Sequence, residues 1–400
     1  VLMAEYALGR KSGMSAIEGI HSLARAENKS ENWQVVGWIG SLGAFFILTF
    51  YIVISAWVLA FIPQAFGGTF NGFAAEAARL TAETGTTVSI ADVSASNFGE
   101  TISNKYVIGG LLASFLLTNV FVVARGVKGG IEKAATVLMP AFFILLIGIV
   151  GFALVEGDAG AAADFLLTPD FSEVTMGTFL EAVGQAFFSL SVGSCLMITY
   201  GAYLSRDTNI PRASAIVASA DTMVALIAGF AIFPIVFAFG ADPAGGPGLF
   251  FVSMPIAFSQ MGALGVWVGG AFFLLALFAA FTSSISLMEV GVAWLEEREG
   301  VTRPGAAMGI GFMLFMIGMG YVYSTDFIDF ADIITGNIML PLCALLLAVF
   351  AGWIVSREML TTELGEGTIM NLWRFMCRWI VPPALAFILV LGTLTKLGVI

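Results

Sequence analysis

Histidine is almost missing from this sequence: one residue, His21, in 400. Cysteine is nearly as rare, with Cys195, Cys343 and Cys377 all in or near apolar runs and none at a metal-ligand spacing, so they read as inert buried thiols. There is no Ser-His-Asp order and no glycine loop followed by lysine, so hydrolase and nucleotide-binding chemistry have no residues to stand on. Charge is scarce as well, at 11% of residues, and the net charge of −11 argues against nucleic acid as a partner.

What fills the sequence instead is apolar. Hydrophobic residues make up 58% and aromatic residues 13%, and the mean hydropathy is +0.94, values far outside the soluble range. A bilayer core needs about 20 apolar residues per helix, and runs of that order recur at 35–62, 106–124, 134–155, 182–205, 222–241, 264–288, 304–325, 333–356 and 379–395. The expectation is an all-α polytopic membrane protein with nine complete spans in one transmembrane domain over residues 1–400. The opening "VLMAEYALGR" is too short to span and reads as the end of a cut helix over 1–10, so nothing can be said of a signal peptide.

Numbering the loops alternately puts Arg10, Lys11, Arg25, Lys29, Arg125, Lys128, Lys133, Arg206, Arg212, Arg298, Arg303, Arg357, Arg374 and Arg378 on one side, 14 of 17 basic residues. Arg79, Lys105 and Lys396 fall opposite. The positive-inside rule makes the first side cytoplasmic. The acids Asp158, Asp164, Asp170 and Glu173 fall outside, as do two large outer loops at 67–104 and 241–263. The first carries an amphipathic stretch near 73–83. The second has breakers at Pro243, Gly245, Gly246, Pro247 and Pro255 around apolar residues, a composition that suits a re-entrant or lid segment.

One span contradicts its own purpose. "QAFFSLSVGSCLMITYGAY" (185–203) has small hydroxyl residues and a glycine at its centre, where a membrane helix is normally most apolar. Such residues let a helix unwind for a few positions, freeing carbonyl oxygens and exposing two half-helix ends near the midplane. Hard cations take oxygen ligands, and half-helix ends favour charged substrate groups. Close helix packing through Ser and Gly accounts for the same residues equally well. A second polar cluster, "FAAFTSSISLMEV" (278–290), sets Ala279, Thr282, Ser283 and Ser286 at i, i+3, i+4 and i+7, one helical face of oxygens, although hydroxyls there also back-bond to their own helix. Asp221, within the span "ASADTMVALIAGFAIFP", is a carboxylate where carboxylates are expensive and by default functional; a helix starting later would leave it near the interface.

Taken together and in order, "FYIVISAW", "QAFFSLSVGSCLMITYGAY", "VSMPIAFSQM" and "FTSSISLMEVGVAWLEE" resemble the neurotransmitter:sodium symporter family, in particular its bacterial amino-acid transporters, over essentially the whole chain. The resemblance implies a fold of five plus five inverted helices with broken helices at the site. It further implies sodium-coupled uptake by alternating access, in a multi-pass protein of the bacterial inner membrane. The segment ending at Arg10 then corresponds to the end of the family's second helix, and its first helix has no counterpart here.

Position by position, the resemblance implies that Tyr51 bonds the substrate carboxylate and that Phe188 is the aromatic lid. Ser191 and Gly193 belong to the unwound stretch, with Ser194, Ser286 and Leu287 around the substrate side chain. Ser189 and Asp221 match the first sodium site, and the Ala279 carbonyl with Thr282 and Ser283 the second. Asp329 matches the outer-gate acid, Glu297 the inner-gate acid, and Tyr203 the tyrosine that supports it. The departures are specific. Asp221 stands where asparagine is more common in the family, so a permanent negative charge takes the place of chloride, and chloride independence is expected. Ala225 occupies a position where some bacterial relatives carry glutamate. Ser194 replaces a bulky residue, and Cys195 replaces a glycine.

The implied ligands are sodium ions, both transported and structural, and a neutral, apolar or aromatic amino acid, with no organic cofactor. Membrane lipid is the surrounding partner, and a homodimer is compatible with the pattern. A non-transporting regulatory homologue, a transporter of another small amine or solute, and a channel remain as other readings; a channel needs polar residues along a whole pore, whereas these cluster at one depth.

Overall fold

The computed structural model describes residues 1–172, 174–240 and 248–396, and every regular element among them is helical. Glu173 and the breakers Pro243, Gly245, Gly246 and Pro247 lie outside the described residues. In chain order the helices are α1 (Leu2–Ser12), α2 (Ala16–Ala26), α3 (Gln34–Phe66), α4 (Phe73–Thr84), α5 (Ile90–Ser103), α6 (Lys105–Val123), α7 (Glu132–Glu156) and α8 (Ala159–Leu167). They continue as α9 (Met176–Ser189), α10 (Leu196–Ala202), α11 (Ile210–Ala238), α12 (Met254–Gln260), α13 (Ala263–Glu296) and α14 (Arg303–Tyr323). The last are α15 (Asp326–Ile333), α16 (Leu340–Val349), α17 (Arg357–Leu364), α18 (Thr368–Phe375) and α19 (Val381–Lys396).

Eight stretches among the described residues are long and apolar enough to cross a membrane. They coincide with eight of the nine expected spans, several of them with earlier starts. The expected span at 222–241 begins twelve residues sooner, at Ile210, where Asn209 caps the helix by accepting from the Arg212 amide. The ninth, 182–205, is the discontinuous pair α9 and α10. Side chains such as Ile144, Leu117 and Phe312 on α7, α6 and α14 are more than 60% exposed, so these helices are apolar on their outward faces too, as helices in hydrocarbon are.

The first outer loop carries the expected amphipathic helix as α4 and also α5, which starts at a reciprocal cap: the Asp92 amide donates to Ser89 Oγ and the Ser89 amide to Asp92. In the second, a π turn at Leu249–Ser253 leads into α12. Phe251 and Phe258 pack there against Phe61, Phe273 and Phe272 at centroid distances of 5.2–6.5 Å. That segment is therefore a buried plug over α3 and α13 rather than a solvated loop.

At the side rich in basic residues, the Arg10 guanidinium is almost wholly buried. Its Nε donates to Glu363 Oε2 at 2.7 Å, one Nη to the Glu363 carbonyl at 2.6 Å and the other to the Thr208 carbonyl at 2.5 Å. Arg206 reaches the same carboxylate at 3.2 Å. The end of α1, the α10–α11 connection and α17 are thus tied at one point. With Arg10 and Glu363 side chains only 5% and 2% exposed, removing the acid strands a buried cation, at a typical cost of about 3–5 kcal/mol. Glu363→Ala is expected to lower the melting temperature of the purified protein markedly, and Lys11→Ala, on the exposed side of the same turn, to leave it essentially unchanged.

Candidate functional site

The break between α9 and α10 is built from alternating left-handed residues: Ser191 (φ 52°), Gly193 (φ 84°) and Cys195 (φ 59°). For the two non-glycines this conformation costs on the order of 1–3 kcal/mol each, so the surroundings must hold it. They do so by supplying partners for the freed backbone. The Ser191 and Val192 amides turn back to the Phe188 and Phe187 carbonyls at 3.1 and 3.0 Å, and Ser194 Oγ donates to the Ser191 carbonyl at 2.6 Å. The Gly193 amide leaves the chain altogether and donates to Glu5 Oε1 on α1 at 2.8 Å. A Cβ at position 193 would sit 2.3 Å from the Leu340 carbonyl, so glycine is required by contact with α16 as well as by φ.

Across from the break, α13 presents its hydroxyl strip. Ser286 Oγ donates to the Thr282 carbonyl at 2.9 Å and accepts from the Tyr200 hydroxyl on α10 at 2.8 Å. Thr282 Oγ1 donates back to the Phe278 and Ala279 carbonyls, both at 3.0 Å. Tyr51, in mid-α3, has its hydroxyl close to Ser283. A cavity of about 540 Å³ lies between α13 and the connector, lined by Ser191, Tyr200, Thr282, Ser283, Ser286 and Leu287 with the start of α7, but not by Tyr51, Gly193, Ser189 or Asp221. Two clusters far apart in sequence therefore share one space. Beside the break, Ser189 Oγ donates to Asp221 Oδ2 at 2.9 Å. Asp221 stands eleven residues beyond Ile210, about 16 Å along α11 at 1.5 Å per residue, so it is an intrahelical acid and not an interfacial one.

Other expected residues go elsewhere. Phe188 lines a separate cavity of about 490 Å³ with Gln185, Glu181 and Asn337, not the one that contains Ser283. Ser194 is fully buried, its hydroxyl turned to the connector's own backbone, and it does not line the 540 Å³ cavity; a small side chain at 194 therefore does not enlarge that space. Asp329 is exposed on α15. Glu297 caps the start of α2, accepting from the Ser15 amide and hydroxyl at 2.6 and 2.5 Å. Tyr203 does not donate to it: its hydroxyl goes to Glu289 at 2.9 Å, because Glu289 sits two turns closer to the membrane centre on α13. Tyr203 and Glu297 do share the lining of a small cavity of about 130 Å³.

The sodium:neurotransmitter symporter family matches this chain over residues 71–398. The chain belongs to that family. Among its relatives are the sodium-dependent transporter YhdH of Bacillus subtilis, 32% identical over 97% of this chain and 85% of that protein, and a sodium-dependent transporter of Haemophilus influenzae, 32% identical over 96% and 84%. The crystal structure of MhsT in complex with L-phenylalanine superposes with a TM-score of 0.81 at 32% identity, over 97% of this chain and 87% of that one. This chain has the family's fold, a multi-pass helical membrane protein built on an inverted-repeat plan with a broken helix at its centre.

Within that symporter fold, three polar residues bear on the site that the motifs do not single out. Glu5 and Glu289 are both 0% exposed; Glu289 also pairs with Arg303, which in turn reaches Glu296 at 2.8 Å. Asn119 on α6 is buried and accepts from Ser284 at 2.7 Å. An acid inside an apolar run is by itself a functional signal, and both "LMAEYAL" and "SLMEVGV" carry it. Gly193→Ala is expected to fail at folding: the clash with Leu340 adds to strain of about 1–3 kcal/mol, and the variant should show lost or strongly reduced monodisperse protein on size-exclusion chromatography. A well-folded Gly193→Ala protein would contradict the geometry of the break.

Proposed function

We propose that this protein is a sodium-coupled symporter that carries a neutral, apolar or aromatic amino acid into the cell by alternating access, in the bacterial inner membrane. The observation that carries the reading is the cavity shared by Ser191 of the helix break and the α13 hydroxyl strip. The family assignment supports sodium as the co-transported ion, and the phenylalanine in the MhsT complex supports an amino acid as cargo. A relative in Drosophila ananassae named sodium-dependent nutrient amino acid transporter 1, 29% identical over 53% of this chain and 34% of that protein, points the same way.

Sodium is the driving substrate, and two oxygen sets fit it. Ser189 with Asp221 supplies a hydroxyl and a fixed negative charge already in contact; the Ala279 carbonyl with Thr282 and Ser283 supplies neutral oxygens on one helical face. In the second set Thr282 would give up its back-bond to bind the ion. The amino acid would lie in the cavity with its carboxylate toward the unwound backbone at Ser191 and its side chain toward Ser286 and Leu287; Tyr51, which does not line the cavity at present, would have to turn in to reach the carboxylate. Phe188 would swing in as a lid from its present place in the neighbouring cavity. Glu132, the one carboxylate among the described residues lining the cavity, is exposed at the first turn of α7, so it offers little to a second charged group.

For the inner gate, the geometry favours two links between α10 and α13, Tyr200 to Ser286 and Tyr203 to Glu289, with Glu297 holding α2 nearby. Opening inward would break them. Asp329 would act in the outer gate. Chloride would have no role, because Asp221 already carries the negative charge.

In proteoliposomes of the complete protein, an inward sodium gradient is expected to drive uptake of labelled leucine, phenylalanine or tryptophan, and replacing sodium by choline to abolish it. Ser283→Ala and Asp221→Ala should each lower uptake at least tenfold, while replacing chloride by gluconate should leave wild-type uptake unchanged. Faster uptake of glutamate or lysine than of leucine would contradict the substrate assignment, and a strong loss in gluconate would contradict the role given to Asp221.

A further inference from the structure

Two of the three cysteines meet at the break. Cys195, the last residue of the connector, and Cys343 on α16 are both fully buried, and their sulfurs are 3.9 Å apart. Both face the Val36 carbonyl of α3, at 3.9 and 3.4 Å. The space they occupy exists because α3 has a glycine there: a Cβ on Gly40 would lie 2.3 Å from the Cys195 sulfur and 2.9 Å from that of Cys343. Three elements thus converge at one point, with two soft sulfurs and one carbonyl oxygen in mutual contact.

We infer that Cys195 and Cys343 form a binding site for a soft, thiophilic cation, and that its occupation locks the helix break against α16. The geometry fits. An ion about 2.3 Å from each sulfur, the usual zinc–thiolate length, subtends an S–M–S angle of about 115° at the observed sulfur separation, between tetrahedral and trigonal. Val36 supplies a third donor without leaving its helix. Thiolates select soft ions over sodium, magnesium and calcium, so the sodium sites and this one do not compete. On binding, two S–H bonds break, two metal–sulfur bonds form, and two protons pass to solvent; affinity therefore rises with pH. The consequence is mechanical: Cys195 belongs to the joint between α9 and α10, and Cys343 to a helix already touching that joint through Leu340.

The test uses the purified complete protein and Cd2+ alone, with Mg2+ as control. One Cd2+ per chain is expected to bind and raise the melting temperature, with an apparent affinity that climbs steeply, up to about 100-fold per pH unit for two released protons. Cys195→Gly, which puts glycine at a left-handed position, and Cys343→Ala should each weaken binding at least tenfold; Cys377→Ala, at the remote third cysteine, should not. Absence of Cd2+ binding, or binding that survives both substitutions, would overturn the site. For the lock, Cd2+ should lower sodium-driven uptake at least tenfold in the wild type and not in Cys195→Gly; binding with undiminished uptake would overturn the lock. Cd2+ binding is measured without transport, so a protein that binds the ion but carries no amino acid would leave the site standing and remove only the symport function.

Discussion

The amide of Gly193 has no helix to donate to, and Glu5 takes it. A backbone N–H left unpaired away from water costs several kcal/mol in hydrocarbon, so a span broken at its centre survives only where a neighbour supplies an acceptor. Here that acceptor is a fully buried carboxylate at 2.8 Å, presented by α1 along the length of α10. The left-handed geometry at 191, 193 and 195, the direct backbone contact with Leu340 and the sulfurs set against Gly40 all follow from holding that connector in one place. Without the break, Ser191 would not turn toward α13, and the two polar clusters would be separate helix faces.

Around this joint the molecule divides its connections by side. At the midplane they are hydroxyl to hydroxyl or hydroxyl to carboxylate: Ser189 to Asp221 and Tyr200 to Ser286. Such neutral or singly charged links can exchange for an ion or a substrate group at small net cost, since each is worth about 0.5–1.5 kcal/mol net, or about 1.5–3 kcal/mol where a charge takes part. Toward the basic side they become buried ion pairs, Arg10 with Glu363 and Arg303 with Glu289, whose rupture is far more expensive. A graded arrangement of that kind suits a carrier: the place that must open and close for cargo is held by weak, replaceable contacts, and the ends of the moving helices by strong ones.

Much of this is legible in the residues. Hydropathy locates the spans because hydrocarbon imposes length and composition directly, whereas "SLSVGSC" fits a break and close helix packing equally well, and it is the left-handed backbone at 191, 193 and 195 that decides between them. The start of α11 lies twelve residues before its apolar run: Arg212 looks like a loop residue, yet the Asn209 cap and Pro211 open a helix there. The partners of the break are not legible, since nothing in the spacing of Glu5, Gly193 and Leu340 relates residues so far apart in the chain. Tyr203 illustrates the limit differently. Family likeness points it at Glu297, just past the end of α13, but a tyrosine at the C-terminal end of α10 reaches the acid that lies at its own depth, and that is Glu289. The reciprocal cap of Ser89 and Asp92 opens α5, a helix that the sequence reading leaves inside the outer loop.

If the connector between α9 and α10 is where ion and cargo act, amide hydrogen exchange over residues 188–196 should respond to both. Sodium together with a neutral amino acid is predicted to slow exchange in that peptide and in the α13 peptide containing Thr282 and Ser283, relative to choline. Sodium that leaves both peptides unchanged while protecting another part of the chain would contradict it.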